Sequence, residues 1–183
     1  MNSYLALYAH QAVGLTTRDA GFVLGVLGIA GGVSRVLWSG LGQRMRHSSH
    51  ALVIVSVAAA GCALVVGLAA RGGSFLLWIG AAGLGASAVA AFALSMVVLL
   101  LDRGPEGAGH DAALVSIGVF SGFAVGAPMF GALVDATGGY GAGWVSVAAE
   151  FAAGGAVALL WQRSQAGERA VPPPTATANG RSC

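Results

Sequence analysis

The sequence contains three long stretches without a charged side chain. They hold 24, 30 and 23 residues and lie between Arg46 and Arg71, between Arg71 and Asp102, and between Asp111 and Asp135. A bilayer core about 30 Å thick is crossed by about 20 apolar residues of helix, at a rise of about 1.5 Å per residue. Each stretch is therefore long enough to cross a membrane.

The composition excludes a soluble globular domain. Of the 183 residues, 56% are hydrophobic and 9% are charged, whereas a soluble domain carries about 25% charged residues. A transmembrane β-barrel would show alternating segments of about ten residues, and these stretches do not alternate. The net charge of +2, without a basic block, gives no sign of a nucleic-acid partner. We predict an all-α membrane protein built as a transmembrane helical bundle.

The apolar stretches predict five full spans and one partial span. The full spans are placed at 21–41, 51–70, 75–101, 112–134 and 144–161, joined by loops at 14–20, 43–50, 71–74, 102–111 and 135–143. Residues 3–13 are apolar and aromatic but too short to cross, so we interpret them as the outer part of a helix whose beginning is missing. The half-bundle would occupy residues 1–162. Residues 163–183, which contain three consecutive prolines, are predicted to form a disordered tail.

The arginines predict the orientation, because cytoplasmic loops are enriched in basic residues. One side of the predicted bundle has only Arg18 and Arg71. The other side collects six arginines, which are Arg44, Arg46, Arg103, Arg163, Arg169 and Arg181. We therefore predict a multi-pass protein of a bacterial plasma membrane with a cytoplasmic carboxy terminus.

Glycines recur at helical spacing in two of the spans. Membrane helices associate through close packing of small residues, so these glycines are predicted to pack against neighbouring helices. The first span carries Gly21, Gly25, Gly28 and Gly32 on one stripe that also includes Arg35; the fourth carries Gly118, Gly122 and Gly126, followed by Pro128.

Three segments resemble the major facilitator superfamily of transporters, specifically its second six-helix half. Residues 14–21 look like the outer loop between helices seven and eight, and residues 34–44 are similar to the loop motif between helices eight and nine. Residues 121–138, followed by Gly-Tyr, look like helix eleven and its outer turn, which is the most specific of the three matches. The resemblance covers residues 1–162. Within the family, the chain is similar to the cyanate-permease-like branch.

The resemblance implies a secondary active transporter that moves a small solute by alternating access, driven by a coupling ion such as a proton or by the solute's own gradient. Two departures matter. Gln43 stands where the family usually has an acid that helps to hold neighbouring helices together at the inner face. The first six helices of the family are absent. The partners implied are the lipid bilayer, a solute and a missing or separate amino-terminal half. The rival interpretation is a non-transporting fragment, scaffold or assembly subunit.

Two ionisable residues lie inside predicted spans, where charges are costly and raise a functional hypothesis. Arg35 could attract an anionic solute or exchange partners during transport, or it could anchor the helix by reaching toward the membrane surface; the anchor is favoured. Glu150 lies about midway along the last span with Ser146 and Gly154 on its face, which predicts burial. It could carry a proton, although a packing role is favoured.

The partial first helix carries Tyr4, Tyr8 and Gln11 along one face, with His10 beside them. In the family this part of the seventh helix commonly lines the cavity, so these four residues are candidate solute contacts. Aromatic rings with polar tips equally suit the membrane interface.

Enzymatic and metal chemistry find no support in the sequence. The loop histidines lack the ligand spacing of a metal site, and no nucleophile elbow, phosphate-binding loop or metalloprotease signature occurs. We predict no enzyme activity, no metal and no cofactor.

Overall fold

The computed structural model describes residues 2–42 and 48–169, and every regular element in them is a helix. The elements are α1 (Asn2–Gln11), α2 (Thr17–Gly42), α3 (Ser48–Gly72), α4 (Ser74–Thr137) and α5 (Gly141–Arg169). Five segments of these helices are long and apolar enough to cross a membrane, which are Thr17–Trp38, Ala51–Gly72, Ser74–Met96, Ala112–Thr137 and Gly141–Ser164. The all-helical, multi-span prediction is confirmed, with span positions within a few residues of those expected.

Helix α4 departs from the prediction because it continues through residues 102–111, where we predict a loop. The prediction that these residues are non-helical is wrong, although the change of chain direction that a loop implies does occur within α4. Charged residues mark where a chain leaves the apolar core, but they do not end a helix, since they are tolerated on a solvated helical surface. Helix α5 likewise continues to Arg169, past the predicted start of the tail, and residues 170–183 lie outside the described part of the chain.

Although α4 is helical throughout, its two ends lie at the same end of the bundle. A Cβ added at Gly80 would lie 2.7 Å from Val66, and one at the adjoining Gly67 would lie 2.9 Å from Trp144. The Trp144 ring is in turn 5.4 Å from that of Phe130. Fifty residues of straight helix would separate Gly80 from Phe130 by about 75 Å. The chain therefore reverses direction within α4, and we call Ser74–Met96 its first arm and Ala112–Thr137 its returning arm.

The turns at this end of the bundle are short and use glycine where the backbone demands it. Only Gly73 separates α3 from α4, and its φ of 96° lies in a region that side-chain-bearing residues rarely occupy. Gly138 ends α4 in the left-handed conformation that closes many helices. At the start of α2, the Thr16 hydroxyl accepts a hydrogen bond from the Asp19 amide at 3.2 Å and donates one to its carboxylate at 2.8 Å, which satisfies a free helix-end donor.

The first arm of α4 packs tightly against α2 and α3 through small residues. A Cβ at Gly85 would collide with the backbone of Leu27, and one at Gly83 would press on the Cys62 sulfur. The Ser34 hydroxyl adds an interhelical hydrogen bond to the Ala86 carbonyl at 2.5 Å. Close packing of membrane helices through small residues is thus present, at Gly83 and Gly85 among others.

The two glycine stripes that we predict to be packing surfaces do not take part in these helix contacts. A Cβ added at Gly25, Gly28 or Gly32 would meet nothing within 4 Å among the described residues, and the same holds for the three glycines of the returning arm, Gly118, Gly122 and Gly126. Pro128 is also exposed. The opposite face of α2, with Val23 and Ser34, is the buried one. Within this chain the stripes form open faces and not helix contacts.

Candidate functional site

An aromatic cluster holds α1 against the ends of α3, α4 and α5. The ring of Tyr4 lies 4.9 Å from that of Phe130, and the ring of Tyr8 lies 5.3 Å from Tyr140 and 5.6 Å from Trp144. Tyr8 and Trp144 are each only 1% exposed. Such aromatic pairs contribute about 0.5 to 1.5 kcal/mol beyond the burial of their area, so a ten-residue helix that is marginal alone is fixed in place.

The hydroxyl of Tyr8 connects two helices. It donates a hydrogen bond to the Gly67 carbonyl at 3.1 Å and accepts one from the Ala70 amide at 3.0 Å. Both partners belong to the last turns of α3. Tyr8 is therefore committed to structure through its hydroxyl, and it can offer a solute only part of its ring.

A cleft of about 730 Å³ opens beside this cluster, at the end of the bundle where α1 and α3 finish and α5 begins. Its size is within the usual range of ligand pockets, about 300 to 1,000 Å³. The side chains around it that carry polar or charged groups are Tyr8, Gln11, Arg71, Asp135 and Tyr140. Three glycines, Gly138, Gly139 and Gly141, form part of the remaining wall without adding side-chain bulk.

The Tyr140 hydroxyl donates a hydrogen bond to Gln11 Oε1 at 2.6 Å, across the cleft from α1. Desolvation, followed by the nearby carboxylate of Asp135 and then Tyr4, raises the pKa of Tyr140 above its usual value of 10.0. At neutral pH the phenol therefore keeps its proton. Because Tyr140 uses the oxygen of Gln11, the amide nitrogen of Gln11 remains available as a donor.

The structure brings together only part of the predicted solute site. Tyr8 and Gln11 line the cleft, whereas Tyr4 packs against Phe130 and Gly131. His10 is exposed, and its Nδ1 makes a hydrogen bond with the Leu15 carbonyl at 2.8 Å, which fixes the turn that follows α1. Two of the four candidate solute contacts, Tyr8 and Gln11, therefore line the cleft, whereas Tyr4 packs within the bundle and His10 fixes a turn.

The two predicted intramembrane charges both lie on outward faces. Arg35 is exposed on the open glycine stripe of α2, one turn before the span ends at Trp38. Glu150 is exposed, whereas we predict it to be buried; the inward face of α5 is formed by Val147, Ala148 and Gly155. Ser146 is half-buried, but Gly154 is exposed and a Cβ added there would meet nothing within 4 Å among the described residues, so a small residue beside Glu150 does not mark a packed face.

The sequence does not predict a functional role for three cleft residues, Arg71, Asp135 and Tyr140. Each lies at a helix end that we interpret only as a boundary or loop. The signal that could have found them is their shared end of the bundle, since alternating spans bring positions 71, 135 and 140 to one side.

Metal binding has no candidate within residues 2–42 and 48–169, where no group of three His, Cys, Asp or Glu side chains could hold an ion. The arrangement at the cleft can instead bind a polar molecule by charge and hydrogen bonds. Comparisons of the chain with protein-family models, with curated proteins and with solved structures found no match.

Proposed function

We propose that the protein is one six-helix half of a secondary transporter of the major facilitator type. It moves a small solute across the membrane by alternating access, working against a second half. The order of the spans supports this proposal. Helix α1 and five spans alternate in direction, with the ends of α1, α3 and α4 beside the starts of α2, α4 and α5, as six-helix halves of such transporters require.

The observation that carries the proposal is the open glycine face of α2. Lipid-facing positions of a membrane helix are usually occupied by bulky apolar residues, while glycines permit another helix to approach closely. Here Gly25, Gly28 and Gly32 meet no described neighbour, and the exposed Arg35 lies on the same stripe. A face of glycine and arginine suits a second protein half or a water-filled cavity better than it suits lipid.

The depths of the two charges suggest different roles. Arg35 is one turn from the end of its span, so it can extend to the membrane surface and serve as an anchor or gate. Glu150 lies about 13 Å from the start of its span at Gly141, near the bilayer centre. A carboxyl at that depth is a candidate proton carrier, because protonation removes the cost of burying its charge.

Thiol labelling tests whether the glycine face of α2 borders water. In a background with Cys62→Ala and Cys183→Ser, Gly28→Cys is treated in intact membranes with a membrane-impermeant thiol reagent. Ile29→Cys is the matched control, because Ile29 is at the same depth and is 70% exposed on another face. We expect labelling at position 28 and none at position 29. If neither position is labelled, the face does not border a water-filled cavity, and a scaffold subunit becomes the better interpretation.

Uptake into proteoliposomes tests whether transport requires a second half. Purified chain is reconstituted alone, and the entry of labelled small organic anions is measured with and without a proton gradient. Because one half encloses only half of a cavity, we expect no flux. Flux from the chain alone would contradict the requirement for a second half, while leaving a transport function in place.

A further inference from the structure

The cleft at the end of the bundle presents two opposite charges to one space. Arg71 lies at the last turn of α3, and Asp135 lies two residues before the end of α4. Both are exposed and both line the cleft. The side chains of Asp135 and Arg71 make no hydrogen bond or salt bridge with any described residue.

The position of Asp135 opposes the local field of its helix. The carboxyl end of a helix carries a partial negative charge, so an acid there is disfavoured and a base is favoured. Arg71 obeys this rule at the end of α3, whereas Asp135 breaks it at the end of α4. Asp135 also lacks a capping role, because the end of α4 is closed by Gly138 and by the Thr137 hydroxyl, which donates to the Leu133 carbonyl at 2.7 Å.

The remaining polar groups of the cleft are held in place by contacts that leave donors free. Tyr140 is fixed by its bond to Gln11 Oε1, so the Gln11 amide group still has donors for a ligand. Tyr8 is fixed by α3 through its hydroxyl. The cleft therefore combines a guanidinium and an amide, which donate, with a carboxylate, which accepts.

We infer that this cleft binds a small zwitterion, a molecule that carries both a carboxylate and an ammonium group. The carboxylate of the ligand would meet the guanidinium of Arg71, which suits planar, two-pronged recognition of carboxylates. Its ammonium would meet the carboxylate of Asp135. The inference concerns binding at the bundle end and holds whether or not the chain transports the molecule.

Equilibrium binding to the full chain in lipid nanodiscs tests the inference. The probe is radiolabelled alanine, compared with propionate and isopropylamine, which each keep one of its charged groups. We expect saturable binding of alanine and at least about tenfold weaker binding of the two singly charged analogues, because each loses one charge-assisted pair. Equal binding of propionate, or of isopropylamine, would reassign the cleft to a simple anion or cation and overturn the inference.

Variants assign the binding to the cleft. Arg71→Gln and Asp135→Asn should each weaken alanine binding about tenfold, and near-ultraviolet circular dichroism checks that both remain folded. Arg18→Gln is the matched control, because Arg18 is exposed at the same end of the bundle but lies over the Phe22 ring outside the cleft; it should bind alanine normally. Absence of saturable binding, or binding that Arg71→Gln leaves unchanged, would contradict the inference. Either result is independent of the labelling at position 28.

Discussion

The two arms of α4 have nearly the same hydropathy and very different surroundings. The first arm has a mean hydropathy of 1.9 and the returning arm 1.8, yet 39% of the first is buried inside the chain and only 6% of the second. Hydropathy therefore reports that a segment enters a membrane and not what it packs against. The difference comes from where the small residues face, toward α2 and α3 in the first arm and toward open space in the other.

Substitution of glycine by alanine should give the largest difference in stability between the two arms. Gly85→Ala would place a Cβ against the backbone of Leu27, so we expect a loss of about 2 kcal/mol in the free energy of unfolding. Gly122→Ala in the returning arm meets no neighbour and should be neutral or gain up to about 1 kcal/mol from helix propensity. Unfolding in mixed detergent micelles measures both. Equal losses would show that the returning arm is packed as tightly as the first.

Removal of the tyrosine hydroxyls should have the next largest effect. Tyr8→Phe loses the bonds to Gly67 and Ala70, and we expect a loss of about 1 to 1.5 kcal/mol. Tyr4 meets the returning arm through ring contact with Phe130, so Tyr4→Phe should change stability by less than about 0.5 kcal/mol. The same unfolding assay applies. A larger loss for Tyr4→Phe would mean that the returning arm is held by a hydrogen bond to α1.

Serine hydroxyls that bond to the two arms give a smaller contrast in stability. Ser34 bonds across helices to Ala86 in the first arm, and Ser34→Ala should cost about 0.6 kcal/mol, as interhelical hydrogen bonds in membranes do on average. Ser116 bonds only within its own turn, to the Ala112 carbonyl, so Ser116→Ala should be close to neutral. A larger loss for Ser116→Ala than for Ser34→Ala in chemical denaturation would contradict this difference between the arms.

High pH should produce the smallest effect, at the turn that ends the returning arm. Because the pKa of Tyr140 is raised on folding, its contribution to stability is complete below the unfolded value of about 10 and is lost as pH rises through the folded pKa. We expect the wild-type chain to lose stability above pH about 10 more steeply than Tyr140→Phe. Parallel slopes would show that Tyr140 titrates normally.

The charge gaps predict the helical class, and the apolar stretches predict all five spans, because the bilayer imposes a length and a hydropathy that any sequence must obey. They do not predict which face of a span is covered. Glycines favour close approach but do not say from which side, so the stripe with Gly28 and the face with Glu150 are both read as buried although they are exposed. The charges do not predict the cleft either, because Arg71 and Asp135 are 64 positions apart and only the folded topology brings both to its lining.

The cleft and the alternating spans both depend on the reversal within α4. Double electron–electron resonance between spin labels at Phe75→Cys and Ala136→Cys, in a background with Cys62→Ala and Cys183→Ser, measures it directly. We expect a separation within about 30 Å, the width of a small bundle. A continuous straight helix would place the labels about 90 Å apart, and a distance beyond the measurable range would contradict the reversal.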